Sequence, residues 1–282
     1  MKIFDLFDLN SKLKILDVGA AAINEIPIYK KLLDINIGHL SAIDGDKRQN
    51  EKLQNFFGSK NVTFHNHFLF DGRKHKVYLC NPSSGMTSLF KPHKEALKFF
   101  NGFEKFGNVE EIISTQTTRL DEVKGIKSID FLKMDAQGAE LEIMKNGEDK
   151  LQNCLAIQLE VSHFPLYENQ PSFGDIDLYL RGKNFLPHLF LENKKWSIAP
   201  TIFNNNPRTP GNQLLESDIV YIRNPLKLVK MTENELKKMA VLAHYSFKSP
   251  DLCVFILIEM AKRRIIPGIA HQQYINNIKS FS

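Results

Sequence analysis

Acidic and imidazole side chains recur along this chain at one kind of place, the end of a short apolar run. Asp17, Gly19, Ala20 and Ala21 close the first such run, Asp44 and Asp46 the second, and His65 and His67 the third. Farther on come Asp135, Gln137 and Glu140, then Glu160 and His163. Carboxylates accept hydrogen bonds from hydroxyl and ammonium groups, and a histidine can exchange a proton near neutral pH. A carboxylate ending a very apolar strand is costly to bury without partners, so Asp135 and Glu160 point to a site. Asp46, just before Lys47, reads equally well as a helix N-cap. His65 and His67 share one strand face with no third ligand near them in sequence, so no metal centre is expected there.

The elements that must carry these residues follow from periodicity. Residues 12–18, 39–43 and 61–68 read as buried strands, and 27–33 and 48–57 as helices between them. That β-α-β-α-β order is half of a doubly wound, mostly parallel α/β sheet of the Rossmann-like kind, in which ligands sit beyond the carboxyl ends of the strands. Residues 76–79 and 110–118 read as further strands, 81–85 as a loop and 92–100 as a helix. Ser83, Ser84 and Thr87 fit a turn better than a ligand contact. Residues 129–134 form a strand, followed by a helix over 139–145 that Asn146-Gly147 closes. Residues 155–161 form another strand, and 173–181 a helix ending at Gly182. The last strands are 185–191 and 218–222. Between them the loop 199–211, rich in Pro and Asn, is long enough to be a lid.

The chain divides at residue 224 into this domain and a helical hairpin over 225–282. Thr232 and Glu235 make a capping box, and Ser249 precedes Pro250 at the start of the second helix. Packing on the main domain is the first expectation for the hairpin, with homodimer formation or acceptor binding as the alternative.

Bulk properties exclude several classes. Of 282 residues, 43% are hydrophobic and 24% charged, with a net charge of +5, which suits a globular protein in water. The basic residues are scattered, so no nucleic-acid partner is expected. Cys80, Cys154 and Cys253 lie far apart, which argues against a disulfide framework. No apolar run approaches the length of a membrane span, and the first residues do not read as a signal peptide. A cytoplasmic location is expected.

The turn after the first strand narrows the ligand. A nicotinamide dinucleotide needs G-x-G-x-x-G there. Here Gly19 is followed by Ala20, Ala21, Ala22, Ile23 and Asn24, which argues against it. An adenosyl ligand without phosphates needs only one close approach, at Gly19. Asp44 can accept from both ribose hydroxyls. S-adenosylmethionine, with its positive sulfonium and ammonium groups, suits the acidic rim.

The sequence resembles the FkbM-type methyltransferases, a branch of the class I S-adenosylmethionine enzymes, over roughly residues 12–223. The most specific stretch is Thr117-Thr118-Arg119-Leu120-Asp121 with Ile129-Asp130-Phe131-Leu132-Lys133-Met134-Asp135-Ala136-Gln137-Gly138-Ala139-Glu140. Leu16-Asp17-Val18-Gly19-Ala20 resembles the family's first motif, and Ala42-Ile43-Asp44-Gly45-Asp46 its second, where Glu-Pro is more usual. The run from Gln213 to Tyr221 resembles its closing strand. The resemblance implies S-adenosylmethionine as cofactor, held by Asp17, Gly19, Ala20, Ala21, Asp44 and Asp135. It also implies methyl transfer to a hydroxyl of a small-molecule or saccharide acceptor. His163, Glu160 and Asp135 are the candidate bases. His163 has the most suitable ordinary pKa, and Asp135 is better suited to the cofactor's ammonium. Phe164, Tyr167, Phe173, Trp196 and Phe203 are candidates for an acceptor cleft. The rival readings are a dinucleotide-dependent oxidoreductase and a non-catalytic glycan-binding or scaffolding relative.

Overall fold

Leucine-rich and β-branched runs become the strands. The computed structural model describes residues 3–20, 26–57, 60–206 and 208–278. In chain order the strands are Leu13–Val18 (β1), Gly38–Ile43 (β2), Val62–His65 (β3), Lys74–Cys80 (β4), Val109–Gln116 (β5), Phe131–Met134 (β6), Ala156–Ser162 (β7), Phe185–Trp196 (β8) and Gln213–Arg223 (β9). The helices are Lys30–Asp34 (α1), Asn50–Phe57 (α2), Lys94–Phe99 (α3), Glu140–Lys145 (α4), Glu148–Leu151 (α5), Phe173–Gly182 (α6), Glu233–Val241 (α7), Pro250–Lys262 (α8) and Ala270–Ile278 (α9).

Seven strands form one sheet in the order β3-β2-β1-β6-β7-β9-β8. β1, β2, β3, β6 and β7 run parallel, and β9 is antiparallel to both β7 and β8. Strand order reverses between β1 and β6, the kind of switch point outside which α/β sheets bind ligands. β4 and β5 pair antiparallel in a separate two-stranded sheet. The sequence shows these two strands but not that they leave the main sheet.

Alternation along the strands divides the core in two. On one face Leu13, Ile15, Leu40, Ala42, Phe131 and Ala156 form a cluster with Leu236, Met239 and Val241 of α7 and Ile256, Leu257 and Met260 of α8. On the other, Leu16, Val18, Ile43, Leu132, Met134, Ile157 and Leu159 pack on Ile143 and Met144 of α4 and Ile176 and Leu180 of α6. The first face turns polar toward the carboxyl ends of its strands. Asp17 stands beside Lys133, and Lys133 beside Gln158.

The C-terminal helices pack into the sheet's own core, and α9 adds a third helix to the expected hairpin. The capping box starts α7 at Glu233, where Thr232 accepts from the Glu235 N–H and Glu235 accepts from the Thr232 N–H. The helix then passes into a π-helical turn at Leu242–Ser246. Ser249 stands at the N-cap of α8 without bonding the helix backbone. Its hydroxyl donates to Asp251 Oδ1 (2.8 Å) and lies 2.9 Å from His188 Nε2. No helix among the described residues is long and apolar enough to cross a membrane.

Candidate functional site

Beyond the carboxyl ends of β1, β2 and β6 lies a cleft with about 830 Å³ of empty space, its open mouth included. Val18, Gly19, Asp44, Asp46, Asp135 and Gln137 line it, with Phe68, Leu69, Leu89 and Ile143 as apolar walls. Backbone bonds draw the strand ends together here. Gly19 N–H donates to the Ile43 carbonyl (2.9 Å), and Asp135 N–H to the Val18 carbonyl (3.0 Å). Gly19 has φ +71°, and a Cβ on it would fall 1.8 Å from the Asp135 carbonyl oxygen. The glycine is needed for this contact between strand ends, whatever ligand lies beside it.

Asp44 Oδ1 accepts from the Asp46 N–H at 2.6 Å. Burial pushes its carboxyl up to about 7, with the charges of Asp46, Asp17 and Asp135 adding to the rise against the pull of that N–H. Asp46 makes local bonds as well as lining the cleft: it accepts from the Arg48 N–H (3.0 Å) and pairs with the Arg48 guanidinium (2.7 Å). After β6, Gln137 has φ +50° and Gly138 φ +100°. Glu140 folds back over this turn, accepting from the Ala136 (2.8 Å) and Gly138 (3.3 Å) N–H groups. Burial raises Glu140 to about 7. Its role is to hold the turn that presents Asp135 and Gln137.

A second cleft, with about 910 Å³ of empty space including its mouth, shares Gly85, Asp135 and Gln137 with the first. Glu160, Lys194 and Glu216 line it with Phe103, Phe106 and Trp196. Gln137 is the partition. Its Nε2 donates to Asp135 Oδ1 (2.6 Å) and Glu160 Oε2 (3.2 Å), and its Oε1 accepts from Tyr167 OH (2.6 Å). Lys194 Nζ holds the other Glu160 oxygen at 2.6 Å. Burial raises the Glu160 carboxyl well above the ordinary range, with Asp135 and Glu216 adding to the rise and Lys194 opposing it.

The structure thus brings Gly19, Asp44, Asp135 and Glu160 to two joined clefts. Asp46, His67 and Gln137 line the first cleft as well, whereas Asp17, Ala20 and His163 lie outside both. Asp17 is 2% exposed. Strand alternation turns its carboxylate onto the face of Lys133, 3.2 Å from Nζ, where it also accepts from Tyr29 OH. Ala20 is buried in the core beside it, and Ala21 lies outside the described residues. His163 is not among the residues lining either cleft. Its Nε2 lies 2.7 Å from Ser217 Oγ, whose proton goes to Asn193 Oδ1, and its ring meets Phe173 at 5.5 Å. Ser217 pairs with Val161, one residue out of phase with Glu160. Imidazole and carboxylate therefore face opposite sides of the sheet, and burial lowers the His163 pKa.

Of the aromatics expected in an acceptor cleft, Trp196 lines it and Tyr167 stands behind Gln137. Phe164 stacks on Phe99 at 4.8 Å instead. Lys194 and Glu216 were not legible as site residues. The β8–β9 ladder shifts register at three places, one of them between Lys194 and Lys195, so sequence alternation does not give their side. Much of the most specific sequence stretch serves the frame. Asp121 accepts from the Lys150 N–H at the start of α5 (3.1 Å). Asp130 accepts from the Lys14 N–H and from Lys238 Nζ of α7, each at 2.7 Å.

The charged side chains that line the first cleft are acids, and one of them, Asp44, is lifted toward neutrality by burial, with like charges adding to the rise. Such a donor-poor, cation-seeking cleft fits an adenosyl sulfonium better than a phosphate-bearing dinucleotide.

Comparisons with known proteins agree with this reading. A family model described as the methyltransferase FkbM domain matches residues 18–187. A 2-O-methyltransferase, NoeI, of Sinorhizobium fredii is 41% identical over 83 residues, 25% of this chain and 34% of that protein. The match thus spans about a third of that relative's length. Among solved structures, the magnesium protoporphyrin IX methyltransferase ChlM of Synechocystis, with bound SAM, aligns over 76% of this chain and 71% of that one. Its TM-score is 0.36 at 12% identity. The precorrin-6y C5,15-methyltransferase of Geobacter metallireducens aligns over 76% and 81%, with TM-score 0.37 and 13% identity. Both are distant likenesses. The family match covers more than half of the chain and includes the residues that build both clefts up to Glu160: this chain belongs to the FkbM methyltransferase family.

Proposed function

We propose that this chain transfers the methyl group of S-adenosylmethionine to a hydroxyl oxygen of a small polyhydroxylated acceptor, a sugar or glycan. The observation that carries the reading is the joining of an acid-lined cleft at the switch point to a second cleft holding a buried carboxylate. The relative named as a 2-O-methyltransferase supports oxygen as the accepting atom.

Asp44 would accept hydrogen bonds from the ribose hydroxyls, and Asp135 would hold the ammonium group. Bound S-adenosylmethionine supplies an electrophilic methyl on a cationic sulfur; the acceptor oxygen takes that methyl and its proton leaves to a base. Glu160 is that base. Gln137 and Lys194 hold its two oxygens, so its lone pairs are aimed before the acceptor arrives. Its raised pKa makes it a stronger proton acceptor than an exposed glutamate. Alignment of the two reactants between the clefts would supply about 7–11 kcal/mol of the barrier.

Saturating S-adenosylmethionine, at about 100 times its dissociation constant, is expected to add about 2.7 kcal/mol of stability. That is a rise in the thermal midpoint of roughly 5–10 °C for a chain of this size. NAD should produce none. No shift with S-adenosylmethionine or S-adenosylhomocysteine would sink the reading.

Asp44→Ala removes charged hydrogen bonds and should weaken cofactor binding by about tenfold to a hundredfold in calorimetric titration. The wild-type affinity also carries a pH signature. Ribose hydroxyls donate to the carboxylate, so the ligand favours the ionised form of a group that titrates at about 7. Affinity should rise with pH up to about neutrality and level above it, with proton uptake by the buffer on binding near pH 6. Asp44→Asn should flatten that dependence. A dependence unchanged in Asp44→Asn would remove Asp44 from the ribose site.

A further inference from the structure

The second cleft holds a carboxylate that Glu160's role leaves unused. Glu216 lines this cleft with only 9% relative exposure. Among the described residues, no hydrogen bond reaches its carboxylate. Lys194 is its partner in the strand register, but the lysine turns its Nζ to Glu160 at 2.6 Å. A buried carboxylate without a donor is costly to keep. A ligand that brings a donor into the cleft removes that cost.

Charge decides what kind of donor. Asp135, Glu160 and Glu216 face this space against one lysine, Lys194. S-adenosylmethionine carries a net charge of one, from two cationic centres and one carboxylate. With it bound and both glutamates ionised, one negative charge is left uncompensated among these groups. A neutral polyol would leave that charge in place, and an anionic acceptor would add to it. The aromatic wall suits a cation as well. Phe103 and Trp196 meet edge to face at 5.0 Å, and the neighbouring Phe106 ring already has Lys105 Nζ at 5.2 Å and Arg208 at 5.7 Å. Aromatic faces attract cations, as the Phe106 ring does with these two side chains.

We propose that the second cleft selects an acceptor carrying a protonated amine, which Glu216 receives while the hydroxyl to be methylated meets Glu160. This rests on the methyltransferase reading for the identity of the cleft. The substrate class is an amino sugar or a similar hydroxylated amine. Burial, only partly offset by Lys194, raises the Glu216 carboxyl to about 7, and an ammonium beside it would bring it back down.

Trp196 is the only tryptophan in the chain, so its emission reports occupancy of this cleft. The full chain, saturated with S-adenosylhomocysteine, is titrated with glucosamine and galactosamine and with their N-acetyl forms and the parent sugars. The amines should perturb the emission at concentrations about tenfold or more below the neutral sugars, a difference of about 1.4 kcal/mol. Glu216→Gln should erase that preference while keeping the thermal shift with S-adenosylhomocysteine, which shows the variant folded. Equal responses from amines and neutral sugars, no response from either amine, or a preference that survives in Glu216→Gln each overturn the proposal. Loss of the thermal shift in the wild type would instead defeat the methyltransferase reading itself.

Discussion

Glutamine in place of Glu160 lowers turnover by about a hundredfold to ten-thousandfold, the usual contribution of a positioned base, and leaves S-adenosylmethionine binding within a few fold of wild type. The amide matches the carboxylate in shape but has no lone pair basic enough to take a hydroxyl proton. Its oxygen can still accept from Gln137 or from Lys194, so the fold of the cleft is kept. The loss falls on kcat, because the proton moves only in the chemical step. In the wild type the rate should rise with pH until Glu160 is ionised, and that rising limb should disappear in Glu160→Gln. Methyl transfer from labelled cofactor to a panel of sugars, with calorimetric binding beside it, reads both effects. A variant within threefold of wild type in kcat would move the base elsewhere. His163→Ala is the informative contrast. Its imidazole bonds Ser217 on the opposite side of the sheet, so turnover should stay within about threefold. A collapse of kcat in His163→Ala, with the thermal midpoint preserved, would restore the histidine as base.

Alanine at Gly19 destabilises the protein by about 3 kcal/mol or more. Two costs combine. An L-residue at φ +71° sits in the left-handed region at about 1–2 kcal/mol. The added Cβ also falls 1.8 Å from the Asp135 carbonyl oxygen and 2.8 Å from its carbon. Those are backbone atoms, so no side-chain rotation relieves the clash. The ends of β1 and β6 must separate instead, which strains the bond from Asp135 N–H to the Val18 carbonyl. The thermal midpoint should fall by roughly 6–12 °C. Gly102 provides the control, with φ +63° and nothing within 4 Å of a built Cβ. Gly102→Ala should show the conformational cost alone, about 1–2 kcal/mol. Equal losses in the two variants, compared by thermal and urea unfolding, would mean that the close approach at the switch point is absent.

The order of the strands and of all helices but α5 and α9, the capping box at Thr232 and the convergence of Gly19, Asp44 and Asp135 were legible in the sequence. Each depends on local chemistry: an apolar run long enough to be buried, a turn at its end, a polar group placed after it. The doubly wound rule then carries parallel strand ends to one edge. Which side a residue faces after its strand has ended was not legible. Glu160 and His163 are three apart, and only the pairing of Val161 with Ser217 shows that they part to opposite faces. Asp17 looked like a cofactor ligand until Lys133 and Tyr29 were seen to occupy its carboxylate. Lys194 and Glu216 entered the site through a hairpin with register shifts, where a period of two no longer reports the face. The C-terminal helices could be read as helices, but not as part of the sheet's core, because an amphipathic face does not name what it packs against. Local patterns along the chain were enough for the strands, most of the helices, the family and the acids at the strand ends. Tertiary structure decided which of those acids share a cleft, since that depends on side-chain direction and on contacts between residues far apart in the chain.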